Sequence, residues 1–230
     1  EWAVDALGVP VHDHYGQTEA GMLVNNHHHP SLRRPLQPGS MGTAMPGWAV
    51  HVLYDDRDEI APPGTLGRIA VDIAASPLAW FTGYPDAPGR SAEKFSQDRR
   101  WYLTGDSGSV GPDGYFRFSS RDDDVIIMAG YRIGPFDVES VLVTHPQVVE
   151  CAVIAAPDEV RGEVLEAYAV LRDPEAAGPD LEAELQRLVK TKYAAHAYPR
   201  AVHFVDELPK TPSGKIQRFL LREQRAGARS

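Results

Sequence analysis

The chain has 230 residues, 43% hydrophobic and 24% charged, with a formal net charge of −9 at pH 7, an ordinary globular composition with room for one large or two smaller domains. The acidic balance lacks the basic footprint that duplex nucleic acid requires; the lone Cys151 excludes an intramolecular disulfide, and no Cys/His spacing suits zinc. No apolar stretch reaches the roughly twenty residues of a membrane span and no signal peptide is visible, so the cytoplasm is the default expectation.

Glu1 is followed at once by Trp2-Ala3-Val4 and a strand-like Val9-Pro10-Val11. That reads as the interior of a domain, so a fragment of a longer protein is expected. Residues 1–36 pass from this strand into a polar loop holding His27-His28-His29, a cluster read as incidental rather than metal-binding. Residues 37–118 are rich in Gly and Pro, with short alternating runs at Ala49–Tyr54 and Gly67–Ile73. Such spacing predicts a small β-barrel or meander. Gly111-Pro112-Asp113-Gly114 has the chemistry of a hairpin turn.

After Ser119 the character changes. Val125–Met128 and Tyr131–Ile133 flank Ala129-Gly130 as a tight hairpin. Pro135 starts a helix lined by Val138, Val141 and Leu142, which His145-Pro146 ends. Strands are expected at Val148–Ala155, Glu166–Leu171 and Val202–Val205, and Cys151 is read as a small core filler in the first of them. Leu181, Leu185, Leu188 and Val189 mark an amphipathic helix, and a last helix runs from Ile216 to about Glu223. These elements make a compact α+β domain of about 100 residues, with a boundary near Arg121-Asp122-Asp123-Asp124.

Four runs carry candidate chemistry. In His14-Tyr15-Gly16-Gln17-Thr18-Glu19, placed in a turn after a strand, the Thr18 hydroxyl and Glu19 carboxylate suit a phosphate oxygen and Mg²⁺; an ordinary helix N-cap would use the same residues. In Tyr102-Leu103-Thr104-Gly105-Asp106, an ionised Asp could accept both hydroxyls of a ribose, although Thr-Gly-Asp is also a common turn. Arg121 to Arg132 sets rigid guanidinium forks about three acids and Gly130; a solvated linker would look similar. Pro209-Lys210-Thr211-Pro212-Ser213-Gly214-Lys215 presents Lys215 on a stiffened loop. It is not a Walker phosphate loop, because Pro209 stands where the first glycine belongs and Ile216 where a hydroxyl residue belongs.

Together, and in order along the chain, these runs resemble the adenylate-forming family of acyl-CoA synthetases, nonribosomal adenylation domains and luciferases. Tyr15–Glu19 matches the nucleotide motif, Gly83-Tyr84 the central Gly-Tyr, Tyr102–Asp106 the ribose motif, Arg121–Arg132 the hinge and Pro209–Lys215 the terminal lysine motif. Gly130–Pro135 and Pro157–Glu163 are similar to the medium-chain acyl-CoA synthetases. Ser120 stands where the family usually has Gly, and Ile127 where many relatives have Lys or Asn.

The resemblance implies that residues 1–120 end the large AMP-binding domain, with a small β-barrel over residues 37–118. It also implies a hinge at 121–124 and a C-terminal α+β lid over 125–230. It implies ATP-driven activation of a carboxylic acid, with release of pyrophosphate, then transfer to coenzyme A with release of AMP. Lys215 would be the catalytic cation. Tyr15, Gly16, Gln17, Thr18, Asp106, Arg121 and Arg132 would bind nucleotide, and Glu19 would hold Mg²⁺. Asp123 would be the hinge about which the C-terminal domain rotates. Gly130, Tyr131, Arg161, Lys190 and Tyr198 would bind coenzyme A. Val143, His145 and Val148 fall where acetyl-CoA synthetases have a cation site, although His145 also reads as a helix cap. Acetyl-CoA synthetases place Trp at Gly16, so glycine is expected to open the acyl pocket to a medium-chain or aromatic acid. The family's upstream phosphate loop is not in the sequence, so the 230 residues alone are expected not to form acyl-adenylate. Two alternatives stay open: loading of a carrier protein, and a non-catalytic nucleotide- or coenzyme-binding module.

Overall fold

The computed structural model describes residues 2–212 and 214–227, with side chains from Val4 onward. Glu1 and Ser213, both invoked above, lie outside the described residues. The chain divides into two compact units, Glu1–Asp122 and Asp123–Ser230.

The first unit opens with a helix, α1 (Trp2–Leu7), which the sequence pattern did not suggest. Val9-Pro10-Val11 is irregular rather than a strand. Pro10 cannot donate to a ladder, and Val9 and Val11 are 56% and 68% exposed, with no buried face to reward pairing. Strands β1 (His14–Gln17), β2 (Gly21–Asn25) and β3 (Thr43–Ala44) form an antiparallel sheet in chain order. The nucleotide-like run is therefore mostly strand, with only Thr18 and Glu19 in a turn, and no helix follows for Thr18 to cap.

Four further strands, β4 (Val50–Leu53), β5 (Gly67–Asp72), β6 (Trp101–Val110) and β7 (Phe116–Arg121), pair antiparallel in chain order, with helix α2 (Pro88–Ala92) before β6. Of barrel and meander, the pairing found is the meander; an isolated bridge, Gly42 to Phe116, links its β7 edge to the residue preceding β3. Leu23, Val24, Val52, Ile69, Val71, Tyr102 and Phe116 fill the core of this unit together with Tyr15. That packing fixes β1 against β6, which positions the site below.

In the second unit, β8 (Ile126–Met128) and β9 (Tyr131–Ile133) form the expected hairpin, followed by helix α3 (Pro135–Leu142). Strands β10 (Val148–Asp158) and β11 (Gly162–Leu171) pair antiparallel over their whole length. Both run longer than the apolar pattern indicated, because Pro157 to Gly162 closes the hairpin. Helix α4 (Pro179–Lys192), parallel strand β12 (Ala201–Phe204) and helix α5 (Arg218–Gly227) complete the unit. Helix α5 starts later than expected, since Ile216 is bridged to Lys210.

Period-two alternation sorts the β10 side chains onto two faces. Cys151 and Val153 join Val138, Leu142, Leu181, Leu185 and Val189 in one cluster. Ala152 and Ile154 join Tyr168, Leu208 and Leu221 in another. The sheet is thus covered on both sides, an α+β arrangement. Buried Glu139 of α3 accepts two hydrogen bonds from Arg218 Nη2, at 2.9 and 2.8 Å, and Arg218 Nη1 reaches Asp124 at 3.2 Å.

Candidate functional site

The first unit gathers the separate runs at one place. Tyr15, on β1, donates its hydroxyl to Asp106 Oδ2 on β6 at 2.5 Å. Gln17 Nε2 donates to the same oxygen at 2.6 Å and to the Thr104 carbonyl at 2.9 Å. Its Oε1 accepts the Tyr102 hydroxyl at 2.8 Å, so the amide is oriented at both ends. Burial raises the Asp106 carboxyl above its usual range, and the hydrogen bonds from Tyr15 and Gln17 with the Arg121 charge offset this only in part. Burial and the Asp106 charge push the Tyr15 phenol upward, so it remains a donor. Arg121 is opposite Asp106 in the β6–β7 register, and Ser107 Oγ donates to Asp122 Oδ1 at 2.5 Å. Ser120 is opposite Ser107, and among the described residues its buried Oγ has no hydrogen-bond partner. Asp123 follows as the first residue of the second unit.

Glu19 lies in the β1–β2 turn, where Tyr84 donates to its Oε1 at 2.5 Å. That bond, with the charges of Lys94 and Arg90, lowers the Glu19 carboxyl despite some burial. Glu19 is therefore a standing anion, the donor chemistry Mg²⁺ takes when it rests on one carboxylate and substrate phosphates. Thr18 is exposed in the same turn. Lys94 Nζ donates to the Thr104 carbonyl at 3.2 Å. Sequence reasoning passed over Lys94, which sits in no recognisable run.

Gly16 requires a correction. A Cβ built there would stand 2.2 Å from the Gly21 carbonyl oxygen and 3.0 Å from Met22 Cα, at a register shift between Tyr15 and Gly16. The missing side chain points at the backbone of β2, not into open space. Close approach of two strands is thus reason enough for glycine, and Gly16 carries no information on acyl length.

In the second unit, Ala129 (φ 50°) and Gly130 (φ 85°) form the β8–β9 turn, the doubly left-handed geometry that two-residue hairpins favour. A Cβ at Gly130 would meet nothing within 4 Å. Tyr131 is 54% exposed and stacks on His196 at 4.1 Å, while Arg132 is exposed on β9, opposite Ile127. The turn reaches the β10–β11 loop through Ala129 N–H to the Arg161 carbonyl, at 3.1 Å. Lys190, near the end of α4, lies 3.8 Å from the Tyr198 ring centroid. Arg200, which sequence reasoning missed although it is only two residues beyond Tyr198, lies 3.8 Å from the same centroid.

Lys215 is exposed at the end of a loop closed on itself. Thr211 N–H donates to the Lys215 carbonyl at 2.8 Å, and Lys215 N–H to Thr211 Oγ1 at 3.1 Å. At the end of α3, the His145 carbonyl accepts Val148 N–H at 3.0 Å, its Nδ1 takes Gln147 N–H at 3.2 Å and its Nε2 faces Glu184 at 3.3 Å. Only the His145 backbone reaches the helix, through its N–H to the Leu142 carbonyl at 3.0 Å; among the described residues the ring bonds no carbonyl of α3. Val143 N–H donates to the Glu139 carbonyl. Among the described residues no group of three or more His, Cys, Asp or Glu side chains could hold a metal.

The first unit holds a buried carboxylate on β6 and a lowered one in the β1–β2 turn, and the second, taken by itself, holds a lysine at the end of a loop. The chain matches the AMP-binding enzyme C-terminal domain over residues 137–215. It is 45% identical over 227 residues to human mitochondrial acyl-coenzyme A synthetase ACSM4, covering 97% of this chain and 38% of that protein. Among solved structures, ATP-bound MatB from Rhodopseudomonas palustris is 32% identical with a TM-score of 0.81, covering 94% of this chain and 41% of MatB. The anthranilate CoA ligase AuaEII, in complex with anthranoyl-AMP, is 34% identical with a TM-score of 0.84, covering 99% and 42%. The chain spans about two fifths of the length of these relatives.

Proposed function

We propose that this chain is the C-terminal portion of an AMP-forming acyl-CoA synthetase, which converts a carboxylic acid, ATP and coenzyme A to acyl-CoA, AMP and pyrophosphate. The observation that carries the reading is the convergence of Tyr15 and Gln17 on one carboxylate oxygen of Asp106. Two donors hold the carboxylate in a single orientation, leaving its other oxygen, Oδ1, to accept ribose hydroxyls. Relatives named as an acyl-coenzyme A synthetase and a CoA ligase support the reaction class.

In this reading residues 1–120 end the large nucleotide domain, whose meander belongs to a small barrel, and residues 125–230 are the lid. Tyr15 and Gln17 orient Asp106. The backbone at Gly16 and the Thr18 hydroxyl meet the α-phosphate, Arg121 and Arg132 serve the nucleotide, and Asp123 is the hinge. Glu19, kept ionised by the Tyr84 hydroxyl, would hold Mg²⁺, which supplies charge neutralisation at the phosphates when bound. The central difficulty is bringing a carboxylate to a polyanion, and Lys215 supplies the cation that meets the charge developing between the acid and the α-phosphate. Gly130, Tyr131, Arg161, Lys190 and Tyr198 take coenzyme A. Val143 and Val148 could support a cation only through backbone carbonyls, and His145 through its carbonyl or its ring. The cytoplasm is the proposed location, and a medium-chain or aromatic acid the proposed substrate, now resting on the relatives rather than on Gly16.

The test is acid-dependent AMP release by the full-length enzyme over a panel of acids, with and without coenzyme A. Acid- and CoA-dependent AMP together with thioester is expected; an enzyme that releases no AMP with any acid would remove the proposal.

A further inference from the structure

The successive acids that follow β7 are held in different ways. Asp122, which ends the first unit, accepts the hydroxyl of Ser107, a buried residue of β6, at 2.5 Å. This bond lies just beyond the β6–β7 ladder, which runs as far as Arg121 opposite Asp106. Asp124, in the second unit, is gripped at both carboxylate oxygens from helix α5. Arg222 Nη1 donates to its Oδ1 at 2.9 Å, and Arg218 Nη1 to its Oδ2 at 3.2 Å. The Asp124 side chain is only 11% exposed, unlike the solvated linker that a run of acids suggests. Arg218 is fixed in turn by Glu139 of α3. The same body extends to the lysine loop, where Gln217 N–H donates to the Pro209 carbonyl at 2.8 Å and Lys210 is bridged to Ile216.

Asp122 and Asp124 are thus each tied within their own unit, and Asp123 is the residue between the two ties. The backbone has two soft dihedrals per residue. Were all of the acids untied, a rotation would be shared among them and could stop at many angles. Ties on both neighbours leave φ and ψ of Asp123 to carry it, so the end points are few and reproducible. Charge supports the same division. The two guanidiniums neutralise Asp124, and the hydroxyl on Asp122 offsets part of the repulsion among adjacent carboxylates.

We propose that Ser107, Arg218 and Arg222 are positioning residues of the hinge: by holding Asp122 and Asp124, each to its own unit, they confine the lid rotation to Asp123. This rests on the hinge reading above and adds to it the side chains that make one residue the pivot. Because Arg218 opens the helix that follows Lys215, the grip on Asp124 also carries any turn at Asp123 directly to the lysine loop.

The experiment is a suppressor test in the full-length enzyme. Asp123→Pro fixes φ at the pivot, and two assays are run: acid-dependent ATP–pyrophosphate exchange, and thioester formation from supplied acyl-adenylate. Asp123→Pro alone is expected to keep one half-reaction and to lose the other by roughly a hundredfold. Adding Ser107→Ala or Arg222→Met unties a neighbour, which can then turn in its place, so the lost half-reaction should recover roughly tenfold. Side chains that merely stabilise the fold would give no recovery when removed, so an undiminished loss in both double variants overturns the assignment. An Asp123→Pro enzyme that keeps both half-reactions defeats the hinge reading itself. Should Asp123→Pro prevent folding, hydrogen exchange at the amides of residues 122–125 decides, with Ser107→Ala and Arg222→Met compared to wild type. Exchange about tenfold faster in both supports the ties, and unchanged exchange overturns them.

Discussion

Tyr15 and Asp106, 91 residues apart in sequence, share a buried hydrogen bond of 2.5 Å. It joins two sheets of the first unit and holds a carboxylate whose charge the surroundings disfavour.

That disfavour gives the first prediction. The folded carboxyl of Asp106 is raised above its usual value, chiefly by burial. A raised carboxyl contributes stability that is fully present below the unfolded pKa, about 3.9, and is lost as pH rises through the folded one. Asp106→Asn removes the ionisation while keeping an oxygen for Tyr15. The variant is expected to melt at or above the wild-type temperature at pH 8, with at least a tenfold loss of ATP-dependent activity in the full-length enzyme. A lower melting temperature at pH 8 would show that the ionised carboxylate stabilises the fold.

Glu19 runs the opposite way. Its carboxyl is lowered, first by the Tyr84 hydroxyl, so it stays charged as pH falls below the ordinary Glu range, and its contribution is lost only as pH falls through the folded value. Tyr84→Phe should move the acid limb of kcat/KM for Mg·ATP to higher pH, leaving the neutral plateau within roughly a fewfold of wild type. A limb that stays in place would assign it to another group.

The Arg218 network bears on stability instead. Glu139, on α3, receives Val153 N–H at 2.7 Å as well as the bidentate guanidinium, while Arg222 Nη1 holds Asp124 at 2.9 Å. The Arg218 and Glu139 side chains are 18% and 9% exposed. Arg218→Met strands a buried charge, and losses of about 3–5 kcal/mol are usual for that. Burial already raises the Glu139 carboxyl, and without Arg218 it rises further. The deficit should therefore be larger at pH 8 than at pH 5.5 in denaturant unfolding. A pH-independent deficit would point to lost packing by the arginine stem.

The second unit was largely legible in sequence because its apolar residues keep strict helical or alternating periods: Leu181, Leu185 and Val189 are all buried. The first unit was less so. Val9 and Val11 alternate like a strand but have no face to bury, and whether short strands close or lie open depends on pairings between distant residues. In the site, residue types marked Asp106 and Glu19, but not the hydroxyls that tune them. Tyr84 and Tyr102 act through side chains brought together by the sheets, and Lys94 and Arg200 sit in no distinctive run. Gly16 misled for a related reason: residue identity shows that a side chain is missing, and only the backbone shows where it would have pointed.

Lys215 yields the sharpest functional test. Its loop is closed by backbone bonds through Thr211, at 2.8 Å and, from Gly214 N–H to the Thr211 carbonyl, 2.9 Å, while its own side chain is exposed. Removing the ammonium should therefore cost the fold no more than about 0.5 kcal/mol. If Lys215 meets the charge developing at the α-phosphate, Lys215→Ala in the full-length enzyme should slow acid-dependent pyrophosphate exchange by roughly a hundredfold or more. Thioester formation from supplied acyl-adenylate should stay near wild type, because that step no longer brings a carboxylate to a polyphosphate. Equal losses in both half-reactions would mean that Lys215 serves binding of the shared nucleotide, and an unimpaired exchange would remove it from the chemistry altogether.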